Sequence, residues 1–195
     1  MAYLLCVVVA TFFHKTAAIL LPVYFLAAGY NTVKRNIAIV LVGIVLALSF
    51  NQLVSAASTF NERYDSYGVT GSGGGELTVA VLVLIALLFL WFKKSVNQSA
   101  KVYHISLNMF LIGVMIAIVA VAANVNPSGV LRLSFYFTWV QALIWPIVFM
   151  NIHDQSKRKL CMFLFFCFCV IYYMVTLSSF GSMLPYKLNP NIFSL

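Results

Sequence analysis

Carboxylates are scarce in this chain: four Asp and Glu among 195 residues, against twelve Lys and Arg. Charged residues of both signs reach only 8%, where soluble chains carry about 25%. No two acids stand one residue apart, which excludes the acidic pair that would hold a divalent metal against a nucleotide-sugar. The long apolar runs contain no carboxylate, so a proton-coupled transporter relying on intramembrane acids is excluded as well. A Walker-type glycine loop, zinc-ligand spacing and a serine-nucleophile elbow are all missing. The four cysteines (Cys6, Cys161, Cys167 and Cys169) lie inside apolar runs and read as small buried hydrophobes, not as a disulfide framework or a metal site. Met1 leads directly into an apolar run without a basic region, so no cleavable signal peptide is expected.

What the chain does have is apolar length. Hydrophobic residues make up 63% and the mean hydropathy is +1.00. In lipid the backbone must bond to itself, so continuous apolar runs imply helices, and the lack of dyad alternation argues against an outer-membrane barrel. The first run, Ala2 to Tyr30, is interrupted by His14 and Lys15. At 1.5 Å per residue it reaches roughly 42 Å, longer than the ~30 Å hydrocarbon core, so it is either one tilted span or two half-length helices breaking near His14. The runs Ile37–Ala57, Leu77–Phe92, His104–Ala123, Leu133–Ile152 and Leu160–Phe180 follow. The expected fold is therefore an all-α integral membrane protein: about six transmembrane helices with an outer loop after the second, in one polytopic domain over residues 1–195. Pro146 is expected to kink the fifth span, and Pro127 to start or precede it.

Orientation follows from the gaps. Lys34 and Arg35, then Lys93, Lys94 and Lys101, then Lys157, Arg158 and Lys159 occupy alternate gaps, leaving Arg63, Arg132 and Lys187 on the other side and Lys15 within the first run. The richer side is expected to be cytoplasmic, which directs the Ser58–Glu76 loop, the Asn124–Arg132 loop and the tail outward. The formal charge of +8 is thus accounted for at helix ends. It gives no clustered basic face for nucleic acid.

Arg132 stands at the outer mouth of the fifth span, with Tyr136 and Trp139 four and seven positions on, on its side of the helix. A guanidinium there can form paired hydrogen bonds to phosphate, which lysine cannot match. An interfacial arginine snorkelling to headgroups within an aromatic belt gives the same pattern. In the outer loop, Arg63 lies between Glu62 and Asp65 with Tyr64 and Tyr67 alongside, ahead of the glycine tract Gly71-Ser72-Gly73-Gly74-Gly75. That supplies a cation for phosphate, carboxylates for a general base and aromatic faces for a sugar; a solvated loop salt bridge is the plain alternative. The pair His14-Lys15 lies deep in an apolar run and is a functional hypothesis by default, the alternative being a helix break. Asn51, Gln52, Asn108 and Gln141 read as interhelical hydrogen-bonding groups.

Several segments together resemble one family. Phe13-His14-Lys15-Thr16-Ala17 looks like its Phe-His-x-Ser/Thr-Ala tract, and Arg63-Tyr64-Asp65-Ser66-Tyr67 like its Arg/Lys-Tyr-x-x-Tyr element. Arg132-Leu133-Ser134-Phe135-Tyr136-Phe137 is similar to its Arg-x-x-x-Tyr-Phe element, and Leu184-Pro185-Tyr186 to its terminal Pro-Tyr, in the same order. This is the EpsG/Wzy-like family of exopolysaccharide and O-antigen polymerases. The resemblance covers that family's C-terminal half, so the chain is expected to be a fragment, a truncated product or half of a split protein.

The resemblance implies glycosyl transfer at the outer face of the bacterial cytoplasmic membrane, moving a nascent glycan from undecaprenyl pyrophosphate onto the next lipid-linked repeat unit. Arg63 and Arg132 would hold pyrophosphate, Asp65, Glu62 or His14 would take the acceptor proton, and Tyr64, Tyr67 and Tyr136 would line the sugar path. No metal and no cofactor are expected. The expected partners are the undecaprenyl-pyrophosphate-linked oligosaccharide, the lipid bilayer and other polysaccharide-assembly proteins. A glycolipid flippase and a non-catalytic membrane subunit of an assembly complex are the alternative readings.

Overall fold

The computed structural model of the protein describes residues 2–13, 20–49, 52, 75–96, 100–123 and 127–179. All regular structure among them is α-helical. The helices are α1 (Ala2–Phe13), α2 (Leu20–Ala27), α3 (Val33–Leu48), α4 (Glu76–Phe92), α5 (Lys101–Ala122), α6 (Pro127–Thr138), α7 (Gln141–Met150) and α8 (Gln155–Ser179). The chain forms two compact units, Met1–Val148 and Phe149–Leu195.

Among the described residues, three stretches are long and apolar enough to cross a membrane: Lys101–Ala122, Leu133–Met150 and Gln155–Leu177. They coincide with the last three expected spans. The expected third span is α4, whose 17 residues reach about 26 Å. The expected second is described as helix only to Leu48, with Gln52 again helical beyond it. The first run holds two described helices, α1 and α2, which contact each other. In one straight helix, residues seven or more apart would lie beyond about 10 Å, so the two-helix alternative is the one observed.

In the first unit α5 is the hub, packing against α2, α3, α4 and α6. Twelve of its 22 residues are buried. One core cluster gathers Leu82, Ala86 and Phe89 of α4, Leu107 and Phe110 of α5, and Ile144 and Val148 of α7. Phe89 is its aromatic centre, with edge-on contacts to Phe110 at 5.2 Å and Trp145 at 4.9 Å. A second cluster joins Val23, Ile39, Ile112 and Phe137. Helices α5 and α6 approach closely at Gly113, where a Cβ would stand 2.8 Å from Phe137 Cβ and 3.1 Å from the Ser134 carbonyl oxygen. Small residues at such crossings let backbones meet where no hydrophobic effect drives helices together in lipid.

Pro127 opens α6, and Pro146 lies inside α7. With no N–H, Pro146 cannot bond the Ala142 carbonyl, and its ring crowds the preceding turn. Before α7 the chain turns tightly: Ala142 N–H donates to Trp139 O at 3.0 Å and Leu143 N–H to Val140 O at 2.9 Å, which separates α6 from α7.

In the second unit, Asp154 caps α8, its Oδ1 accepting from the N–H of Ser156 at 2.9 Å and of Lys157 at 3.3 Å. Lys157, Arg158 and Lys159 occupy the first turn, where the helix dipole disfavours cations; Asp154 offsets this, with Lys157 Nζ 3.7 Å away. The cysteines are free thiols. Cys6 and Cys169 are exposed on α1 and α8, correcting the expectation of buried positions; a residue in an apolar run can face lipid as readily as core.

Candidate functional site

Antiparallel packing of α4 and α6 on α5 gives the first unit two chemically distinct ends. One is assembled from the start of α4, the end of α5 and the start of α6. Gly75 precedes α4 with a φ of +93°, a backbone state in which a side chain is strained. A Cβ there would stand 3.2 Å from Leu131 Cδ2 and 3.7 Å from Val121 Cγ2. The last residue of the glycine tract is therefore seated beside the helix that carries Arg132.

Along α6, Leu131, Ser134, Phe137 and Thr138 are buried, whereas Phe135, Tyr136 and, just beyond, Trp139 are exposed. Arg132 precedes those exposed residues by three, four and seven positions, so its register position is on their face. Tyr136 and Trp139 are 73% and 75% exposed within the chain. The predicted alignment of Arg132, Tyr136 and Trp139 on one helix face is thus observed for the backbone. The side chain of Arg132, and the predicted residues His14, Glu62, Arg63, Tyr64, Asp65 and Tyr67, lie outside the described residues.

The opposite end carries a polar network, of which only Asn108 was singled out in the sequence for its hydrogen bonding. Asn108, fully buried on α5, donates through Nδ2 to the carbonyls of Ala27 at 3.0 Å and Gly29 at 3.1 Å, satisfying groups left open where α2 stops. Its Oδ1 accepts from Asn31 Nδ2 at 2.8 Å. Asn31 also donates to Asn36 Oδ1 at 2.6 Å, and its own Oδ1 accepts from Lys93 Nζ at 2.8 Å and Asn36 Nδ2 at 3.4 Å. The Arg35 guanidinium donates to the Ala28 carbonyl, and Thr32 caps α3 by accepting from Arg35 N–H at 3.3 Å. Burial pulls the Lys93 ammonium below the ordinary lysine pKa.

This network joins the gap containing Lys34 and Arg35 to the gap containing Lys93 and Lys94. Two gaps assigned to one side from their charge therefore meet at one end of the bundle, opposite Gly75 and Leu131. The usable sequence signal was the pairing of polar Asn31 and Asn36 with those basic gaps. It did not reveal that Asn108, inside a span, would reach them.

Searches for similarity to curated proteins and to solved structures yield no match. A family model described as the EpsG family matches residues 1–188. That match takes in nearly the whole chain, including the helical frame and every motif noted above, and the chain belongs to the EpsG family, the EpsG/Wzy-like polymerase family.

Proposed function

We propose that the protein is a multi-pass cytoplasmic-membrane polymerase of bacterial polysaccharide, transferring a glycan between undecaprenyl-pyrophosphate-linked repeat units at the outer face. Family membership supports a polymerase connected with exopolysaccharide. The observation that carries the site assignment is the seating of Gly75 against Leu131. It seats the residue before α4 beside Leu131, and in this reading the guanidiniums of Arg63 and Arg132 meet one pyrophosphate.

In this reading the acceptor hydroxyl attacks the anomeric carbon of the donor glycan. The new C–O bond forms as the bond to pyrophosphate breaks, and the bonding pair leaves on the phosphate oxygen. Arg63 and Arg132 stabilise that departing charge. Asp65, Glu62 or His14 takes the hydroxyl proton, and Tyr64, Tyr67 and Tyr136 line the sugar path.

The test is Arg132→Lys in cells that make the polymer. Charge is kept but the planar fork is lost, so polymer should shorten toward single repeat units displayed outside. Unchanged polymer length would remove Arg132 from the mechanism, and disappearance of repeat units from the outer face would favour the flippase reading.

A further inference from the structure

The basic end of the first unit encloses a cleft of about 770 Å³ whose walls include Tyr30, Asn31, Lys93, Lys94 and His104. Its chemistry is one-sided. The described carboxylate of the first unit is Glu76, at the Gly75 end, and none of the residues lining the cleft is acidic. Lys93 spends one of its three donors on Asn31, and Lys94 has no ion pair among the described residues. Thr32 also lines the cleft at the start of the sixteen-residue α3, which adds the positive end of a helix dipole.

The second, independent observation is His104. Its side chain is only 4% exposed, yet neither ring nitrogen has a hydrogen-bond partner among the described residues. The ring is held edge-on by Tyr30 at 5.2 Å and Tyr103 at 5.9 Å. The Tyr103 hydroxyl is already spent, donating to the Phe89 carbonyl at 2.5 Å. Buried imidazole nitrogens without partners are costly and uncommon. Here they belong to a wall residue of a cleft whose described lining carries two lysines and no carboxylate.

We propose that this cleft is an anion site that takes a phosphate group, bound by Lys93 and Lys94 and completed by an N–H of His104. The site is separate from the proposed polymerase mouth, being at the other end of the helices. The phosphate could be supplied by an anionic phospholipid headgroup or by a soluble phosphate compound, and the two sources are experimentally separable.

The full chain is reconstituted in phosphatidylcholine nanodiscs, with and without phosphatidylglycerol. Native mass spectrometry reads retained lipid, and thermal unfolding in phosphatidylcholine alone is titrated with inorganic phosphate against chloride at matched ionic strength. Phosphatidylglycerol retained without a phosphate response identifies the headgroup. A saturable phosphate-specific rise in unfolding temperature identifies the soluble source. Lys93→Gln and His104→Phe should each weaken the response about tenfold, as loss of a charge-assisted or buried hydrogen bond predicts. Lys94→Gln, whose side chain makes no described bond within the fold, should weaken it without altering basal stability. No response to either probe, or a response that all three variants leave intact, overturns the proposal.

Discussion

Asn31 and Asn108, 77 positions apart, meet through their side-chain amides at 2.8 Å. This contact holds the α2–α3 turn against α5 at the basic end of the bundle. Between them the two residues satisfy two backbone carbonyls and the Lys93 ammonium.

Asn108→Leu keeps the volume but strands the carbonyls of Ala27 and Gly29 and one amide of Asn31. Each stranded buried group costs about 1–3 kcal/mol. A loss of several kcal/mol in detergent unfolding is expected, whereas Asn36→Ala, nearer the surface, should cost clearly less. Equal effects would mean that Asn108 does not carry the turn.

At Gly113 the margin is set by contact distance. Gly113→Ala places a Cβ 2.8 Å from Phe137 Cβ and from Thr138 Cγ2, so α5 and α6 must separate. Overpacking of this kind costs about 1–3 kcal/mol. Gly113→Val should exceed Gly113→Ala, and urea or thermal unfolding with the far-ultraviolet signal would register the order.

For the mouth, Arg63→Lys and Arg132→Lys combined in one chain should be clearly less than multiplicative in their effect on polymer length. Two forks clamping one pyrophosphate act as a coupled pair. Independent, multiplicative losses would place the two arginines on different groups.

Sidedness can be read by cysteine labelling in a background with the four native cysteines replaced by serine. Glu76→Cys, adjoining Gly75, and Lys94→Cys lie at opposite ends of α4. An impermeant thiol reagent applied to intact cells should tag the first only, and the second after the bilayer is breached. The reverse pattern would put the proposed mouth on the cytoplasmic face.

The helices themselves were legible. Long runs without charge leave lipid-exposed backbone no option but internal bonding, and the runs beginning at His104, Leu133 and Leu160 are the three that span by length. Pro146 was expected to kink the fifth span; α7 runs through it, and the interruption of the helix lies at Trp139 and Val140. The basic gaps gave the grouping of ends, and the network through Asn31 and Lys93 brings two of those gaps together. The burial expected for Cys6 and Cys169 was not legible, since hydropathy cannot separate a core-facing position from one that faces lipid.

The amino-acid order alone determined the helical, apolar class and where most of the described helices run, because both depend on local solvation of the backbone. Tertiary structure decided which polar groups share a site. The approach of Asn31, Lys93, His104 and Asn108 depends on how α2, α3 and α4 pack around α5. The same packing seats Gly75 at Leu131, a proximity between residues 56 positions apart that no helical or loop periodicity encodes.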